Sequence, residues 1–196
     1  MRVIGLIGGI GTGKSYVADL LEHYFNAYII KADDVGHKII KKGTKSYKLI
    51  VDYFGLDILD NDKEINRTKL SEIVFKNSSK LKKLNTFTHP YIYEHIKKEI
   101  TTLKNSYKYE LIVLEVPLML ESGFNILADE LWYVYTRLEL RKKRLKLNRN
   151  FTDEKIENIL SSQLNDEIYK KEADFIINNS YNKEYTLNQI ENILNK

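Results

Sequence analysis

Short, almost unbroken apolar runs punctuate the chain at Val3–Ile7, Tyr28–Ile30, Leu111–Val116, Leu131–Tyr135 and Phe175–Ile177. Runs of this length without polar alternation read as parallel strands buried on both faces. Segments with helical spacing separate them, beginning with Lys14 to about Tyr24, where Val17, Leu20 and Leu21 share one side. The stretch Asp33–Lys104 has a different character. It reads as consecutive helices over Asp34–Lys41, Lys45–Phe54, Thr68–Phe75 and Ser78–Leu103, with no convincing core strand. The last of these is expected to break near His89-Pro90, because proline supplies no N–H and its ring crowds the preceding turn. A further helical unit covers Arg137–Leu164, with Thr152, Asp153 and Glu154 as a helix start. The pattern predicts an α/β fold, a five-stranded parallel sheet flanked by helices. It divides the chain into a core (1–32, 105–136 and 165–196), a helical insertion (33–104) and a helical lid (137–164). The only prolines are Pro90 and Pro117, and no Ser/Gly linker is present, so a freely hinged second domain is not expected.

Composition narrows the chemistry. Hydrophobic residues make up 43% of the 196 positions, enough for a sizeable core. The chain has no cysteine, which excludes disulfides, cysteine-ligated zinc and thiol catalysis. The N-terminal apolar stretch is too short for a signal peptide or a membrane span, so a cytoplasmic protein without a membrane partner is expected. A net charge of +4, from 31 basic and 27 acidic residues, suits an anionic small substrate. Because the two signs are interspersed, no nucleic-acid partner is expected. A monomer is the favoured state.

The most specific local signal is GGIGTGKS at Gly8–Ser15, directly after the first apolar run. It has the form G-x-x-x-x-G-K-S, a phosphate-binding loop between a strand and a helix. Glycines let the backbone curl so that its N–H groups face phosphate oxygens. Lys14 can bridge the β- and γ-phosphates, and the Ser15 hydroxyl can hold Mg²⁺. The following helix directs its positive end at the same anion. Gly11, Thr12, Gly13, Lys14, Ser15 and Tyr16 are therefore the candidate ATP contacts.

Asp33 follows the second apolar run, at the carboxyl edge of the expected sheet. A carboxylate there can take the proton of an attacking hydroxyl or organise Mg²⁺; equally, Asp33 or Asp34 can cap the following helix. His37 lies one helical turn on, with a structural role as its alternative. Glu115 closes the third run, where a metal-organising carboxylate or a plain exposed strand end both fit. Arg137, Arg141, Lys142, Lys143, Arg144, Lys146 and Arg149 form a basic segment. Such a run is often a solvated helix face, but phosphoryl transfer also needs cations over the migrating group. The spacing of three puts Arg141 and Arg144 on one face.

Together these residues resemble one family, dephospho-coenzyme A kinase, over nearly the whole chain. The family's loop T-G-G-I-G-S-G-K-S is matched by Gly8–Ser15, and its strand-end D-A-D by Lys31-Ala32-Asp33. Its stretch F-G … R … L … V-F corresponds to Phe54-Gly55, Arg67, Leu70 and Val74-Phe75. H-P-x-I is His89-Pro90-Tyr91-Ile92, and V-P-L-L-x-E is Val116 to Glu121. The closing Q … A-D-x-x-I-x-N is Gln163, Ala173-Asp174, Ile177 and Asn179. The resemblance implies a kinase of the nucleoside-monophosphate-kinase-like type. It would transfer the γ-phosphoryl group of ATP to the ribose 3′-hydroxyl of dephospho-coenzyme A, the last step of coenzyme A synthesis. It implies Asp33 as base, Lys14 and Ser15 serving ATP and Mg²⁺ (with Asp33 as a second metal candidate), and Arg144 as a lid arginine. It also implies an acceptor site drawn from His37, Arg67, His89, Pro117 and Glu121, with His89 alternatively a partner of the Pro90 turn.

Three positions depart from the family pattern. Lys31 replaces the first acid of D-A-D. Tyr16 stands where a small hydroxyl residue follows the loop serine. The lid register puts Asn148 where an arginine is expected, and a one-residue gap would bring in Arg149 instead. Arg149 is the expected second lid cation, since only a cation can offset charge on the transferring phosphoryl group.

Overall fold

The computed structural model describes residues 1–195. In chain order the elements are β1 (Arg2–Ile7), α1 (Lys14–Phe25), β2 (Ala27–Lys31), α2 (Ala32–Ile39), α3 (Lys45–Phe54), α4 (Arg67–Phe75) and α5 (Ser78–Ser106). There follow β3 (Leu111–Glu115), α6 (Met119–Ser122), β4 (Glu130–Tyr135), α7 (Leu138–Arg149), α8 (Asp153–Ser162), α9 (Asp166–Glu172), β5 (Phe175–Asn178) and α10 (Lys183–Leu194). Two compact units result. The first comprises Met1–Lys31 and the chain from Thr102 onward; the second is Ala32–Thr101.

The first unit is built on a five-stranded sheet in the order β2-β3-β1-β4-β5. Every strand pairing in it is parallel, so the α/β class expected from the apolar runs holds. Leu6 and Lys31 both pair with Glu115, which brings the ends of β1, β2 and β3 to one edge. Connections leave β1 and β3 in opposite directions, the arrangement that opens a ligand crevice at the carboxyl ends. On one face Ile4, Leu6, Val113, Trp132, Val134 and Ile177 pack with Val17, Leu20 and Leu21 of α1 and Ile190 and Ile193 of α10. Each large side chain buried this way contributes about 1.5–3 kcal/mol. On the other face Gly5 admits α6: a Cβ there would lie 2.7 Å from Met119 Sδ and 2.9 Å from Leu131 Cδ2.

The second unit is helical, around Ile50, Ile58, Ile65, Leu70 and Val74. Thr44 caps α3 by accepting from the Tyr47 N–H at 3.1 Å, and Asn66 caps α4 by accepting from Lys69 at 2.9 Å. One expectation fails here. Helix α5 runs unbroken for 29 residues with Pro90 inside it. Proline removes only the hydrogen bond to the Thr86 carbonyl, while the rest of the helix keeps its own bonds and its packing. Within the preceding turn, Ser46 Oγ donates to the Phe87 carbonyl at 2.7 Å, an extra tie between α3 and α5. His89 therefore lies within a continuous helix and not at a break beside Pro90.

Candidate active site

The loop after β1 takes conformations that its glycines make possible. Gly8, Gly11 and Gly13 have φ of 138°, 77° and 92°, where a side chain would be strained. Gly13 is the N-cap of α1. A Cβ there would stand 2.2 Å from Asn179 Nδ2. Inside the loop the buried Thr12 hydroxyl donates to the Gly9 carbonyl at 2.9 Å.

Lys14 extends its ammonium back over the loop, donating to the carbonyls of Gly8 at 2.6 Å and Gly9 at 3.2 Å. Burial brings its pKa down to about 8, with Arg141 and Arg149 pushing the same way and Glu115 and Glu121 opposing. Ser15 donates its hydroxyl to the Glu115 carboxylate at the end of β3. A hydroxyl, a carboxylate and a loop ammonium thus meet at the carboxyl edge of the sheet. Between Glu115 and Glu121 the chain is strained: Leu118, the N-cap of α6, has φ 52° and is 48% exposed. A bulky residue in that region costs on the order of 1–3 kcal/mol, and such strain collects at functional turns.

Five side chains hold the loop from outside. Arg144 donates to the Thr12 carbonyl (3.3 Å), the Thr136 hydroxyl (3.2 Å) and the Asn179 carbonyl (2.9 Å). Asn179 Nδ2 donates to the Thr12 carbonyl at 2.9 Å, as does Thr136 Oγ1 at 2.8 Å. Gln163 accepts from the Ile10 N–H at 2.9 Å, and Arg141 Nε donates to the Ile10 carbonyl at 3.1 Å. The donors on Arg144 Nη1 and Nη2 are therefore engaged with backbone and hydroxyl groups. Arg149, in the last turn of α7, is exposed and is the freer cation of the two. Asn148 is also exposed but carries no charge, whereas Arg149 acts on Lys14, though less than burial, Glu115, Arg141 and Glu121 do.

The remaining candidates are placed as follows. Tyr16 is 40% exposed on the first turn of α1. Pro117 and Glu121 are exposed around α6, and Glu121 accepts from the Tyr169 hydroxyl at 3.5 Å. Tyr169 stacks on Tyr133 with ring centroids 5.4 Å apart, and burial first, then Glu121, pushes its phenol up to about 12. In the second unit, Asp33 and His37 are exposed on α2, Asp33 in its first turn. Arg67 is exposed at the start of α4. His89 is half-buried in α5, and that burial lowers its pKa. Sequence reasoning did not single out Thr136, Gln163, Asn179 or the buried role of Arg141 as site residues. Gln163 and Asn179 appeared only in the family's Q … N ending and Arg141 only through its three-residue spacing from Arg144, while Thr136 gave no signal in the sequence.

Comparison with known proteins shows the family. A family model described as dephospho-CoA kinase matches residues 2–184. The chain belongs to the dephospho-CoA kinase family. It is 40% identical over 196 residues to the dephospho-CoA kinase of Carboxydothermus hydrogenoformans, covering 100% of this chain and 94% of that one. A second such kinase, from Lactobacillus johnsonii, is 38% identical over 90% of this chain and 88% of its own length. Among solved structures, the dephospho-CoA kinase from Campylobacter jejuni aligns with a TM-score of 0.69 at 30% identity, covering 98% of this chain and 94% of that one. The Thermus thermophilus protein TT1252 shares the fold, with a TM-score of 0.82 at 22% identity over 98% and 95% of the two chains. A kinase of this family uses ATP.

Proposed function

We propose that this chain phosphorylates the ribose 3′-hydroxyl of dephospho-coenzyme A with ATP, giving coenzyme A and ADP. The observation that carries the reading is the meeting of Lys14, Ser15 and Glu115 on a phosphate loop, in a chain of this family. The Lys14 ammonium exchanges its loop carbonyls for β- and γ-phosphate oxygens. Loop N–H groups from Gly11 to Ser15 face the same phosphates; Thr12 contributes through its backbone, since its hydroxyl is spent on Gly9. Tyr16 borders the nucleotide from the first turn of α1. Asp33 accepts the proton as the 3′-oxygen attacks the γ-phosphorus. The new O–P bond forms in line with the breaking bond to the β,γ-bridging oxygen, and ADP leaves with that electron pair. Arg149 supplies positive charge over the moving group. Arg144 supports that step by holding the Thr12 end of the loop.

Mg²⁺ fits the donors present. The Ser15 hydroxyl and Glu115 carboxylate are hard oxygen ligands already in contact, with Asp33 as a further candidate. No cluster of three or more His, Cys, Asp or Glu suited to a metal occurs among the described residues. Magnesium typically needs only one or two protein oxygens, completing its shell with water and phosphates. When bound, the ion would neutralise charge on the β- and γ-oxygens. His37, Arg67, His89, Pro117 and Glu121 are the proposed acceptor contacts. No described helix is long and apolar enough to cross a membrane, and we assign the protein to the cytoplasm as a monomer that binds no nucleic acid.

The test is ADP release with a panel of hydroxyl acceptors. Dephospho-coenzyme A should stimulate turnover, whereas other nucleotides and sugar acids should not. No stimulation by dephospho-coenzyme A would overturn the assignment. Asp33→Asn should reduce kcat by roughly 10²-fold or more, the usual contribution of a general base, and a near-normal rate would remove Asp33 from that role.

A further inference from the structure

Arg141 lies in the basic segment, yet it is unlike the other cations there. Its side chain is only 7% exposed. All three nitrogens of the guanidinium face protein. Nε donates to the Ile10 carbonyl at 3.1 Å. Nη1 pairs with Asp166 Oδ1 of α9 at 3.3 Å. Nη2 rests against Gly9, so closely that a Cβ on that glycine would lie 2.2 Å from it. Gln163 completes the arrangement: its Oε1 takes the Ile10 N–H at 2.9 Å and would lie 3.0 Å from the same Cβ. Both the N–H and the C=O of Ile10 are therefore held by side chains from beyond the loop. At the other end of the loop, Arg144 and Asn179 hold Thr12 in the same manner.

We propose that Arg141, paired with Asp166, is a positioning residue for nucleotide binding that fixes the Gly9–Ile10 part of the phosphate loop. The inference rests on the reading of Gly8–Ser15 as the ATP site and deepens it. A phosphate cradle works through several N–H groups aimed at once, and a loop ordered beforehand does not lose that freedom on binding. The glycine-rich sequence that allows the curl also leaves the unliganded backbone loose. Side chains must supply the order. A buried, charge-assisted hydrogen bond to one loop carbonyl does this firmly, because leaving the guanidinium without that partner would strand a charge. Gly9 fits the same account. Its φ is not in the left-handed region, so its lack of a side chain serves the approach of Arg141. Arg141 acts through the loop and does not touch the reacting atoms.

Three variants test this: Arg141→Gln, Arg141→Lys and the milder Asp166→Asn. ADP is the probe, titrated calorimetrically with magnesium present, alongside KM for ATP, KM for dephospho-coenzyme A and kcat. Loss of a charge-assisted bond predicts that Arg141→Gln weakens ADP binding and raises KM for ATP by roughly 10-fold or more. The KM for dephospho-coenzyme A should stay within about twofold, since no loop phosphate contact serves it. Arg141→Lys should recover part of the loss by keeping the charge, and Asp166→Asn should show the same defect in weaker form. Amide NMR signals of Gly9 and Ile10 should move in the ADP-free Arg141→Gln protein. A lowered melting temperature with ADP affinity and KM for ATP unchanged would overturn the proposal, leaving Arg141 a purely structural residue. If Arg141→Gln does not fold, unchanged ADP affinity in Asp166→Asn and Arg141→Lys would overturn it equally. Failure of the wild-type protein to bind ADP would instead remove the ATP-site reading beneath it.

Discussion

Gly13 offers a quantitative test of how the phosphate loop is held. In Gly13→Ala the new Cβ meets two penalties. The backbone stands at φ 92° and ψ 34°, and a side chain in that region costs about 1–2 kcal/mol. The Cβ would also fall 2.2 Å from Asn179 Nδ2, so Asn179 must leave its place. Asn179 is buried, donates to the Thr12 carbonyl at 2.9 Å and accepts from Thr186 Oγ1 at 3.3 Å. The Thr12 carbonyl keeps Thr136 and Arg144 as donors, and Thr186 keeps the Asn182 carbonyl. No partner is orphaned, so the displacement costs about 1–2 kcal/mol, toward the low end for buried hydrogen bonds. The total, about 2–4 kcal/mol, is large against the 5–15 kcal/mol typical of a domain but leaves the variant folded. Removing Asn179 first should make the clash vanish. Asn179→Ala alone should cost about 1–2 kcal/mol, and Gly13→Ala/Asn179→Ala should be no less stable than Gly13→Ala, within about 0.5 kcal/mol. Urea denaturation of all four proteins, with equal m-values as the check on two-state behaviour, measures the cycle. Additive losses in the double variant would refute the reasoning, because they would mean that Asn179 and the Gly13 position do not compete for space.

Glu115→Gln should raise the magnesium concentration needed for half-maximal activity by roughly 10-fold, as loss of a carboxylate around a metal typically does; a magnesium titration superimposable on wild type would detach Glu115 from the ion. Pro90→Ala should stabilise the protein by about 1–2 kcal/mol, because a helix interior regains an N–H donor for the Thr86 carbonyl, and a lower urea midpoint would contradict that. His89 has a pKa lowered by burial, so the folded state binds its proton less readily than the unfolded state. Its contribution to stability is present above the unfolded pKa and is lost as the pH falls through the folded value. Between pH 7 and 5 the urea midpoint of His89→Gln should therefore fall less than that of wild type, and parallel declines would show that His89 does not drive the acid loss.

The sheet was legible because parallel strands buried on both faces must be apolar along their whole length. Val3–Ile7 and Leu131–Tyr135 each lie within one residue of the observed β1 and β4. Helix α3 starts and stops at the expected residues, with Thr44 and Gly55 as the caps the structure shows. Helix α5 was misjudged at Pro90, since a local rule about one missing donor was set against the stability of 29 helical residues. The basic segment was legible only in part. A stretch of arginines and lysines looks uniform in sequence, but α7 turns Arg141 and Arg144 inward and leaves Arg149 exposed. Helical spacing could place Arg141 and Arg144 on one face, but it could not say that the face meets the loop.

By itself, then, the sequence determined the chemistry at hand: a phosphate loop of glycines with Lys14 and Ser15, a carboxylate closing β3, and the ordered motifs of one kinase family. Those depend on residue type and local spacing, which a chain carries wherever it folds. Only the tertiary structure decided which side chains hold the loop in shape. Gln163 and Asn179 lie 153 and 167 positions from the loop atoms they bind. Contacts of that range form because parallel strands bring their carboxyl ends to one edge, so their partners follow from strand order and are not written into any local stretch of sequence.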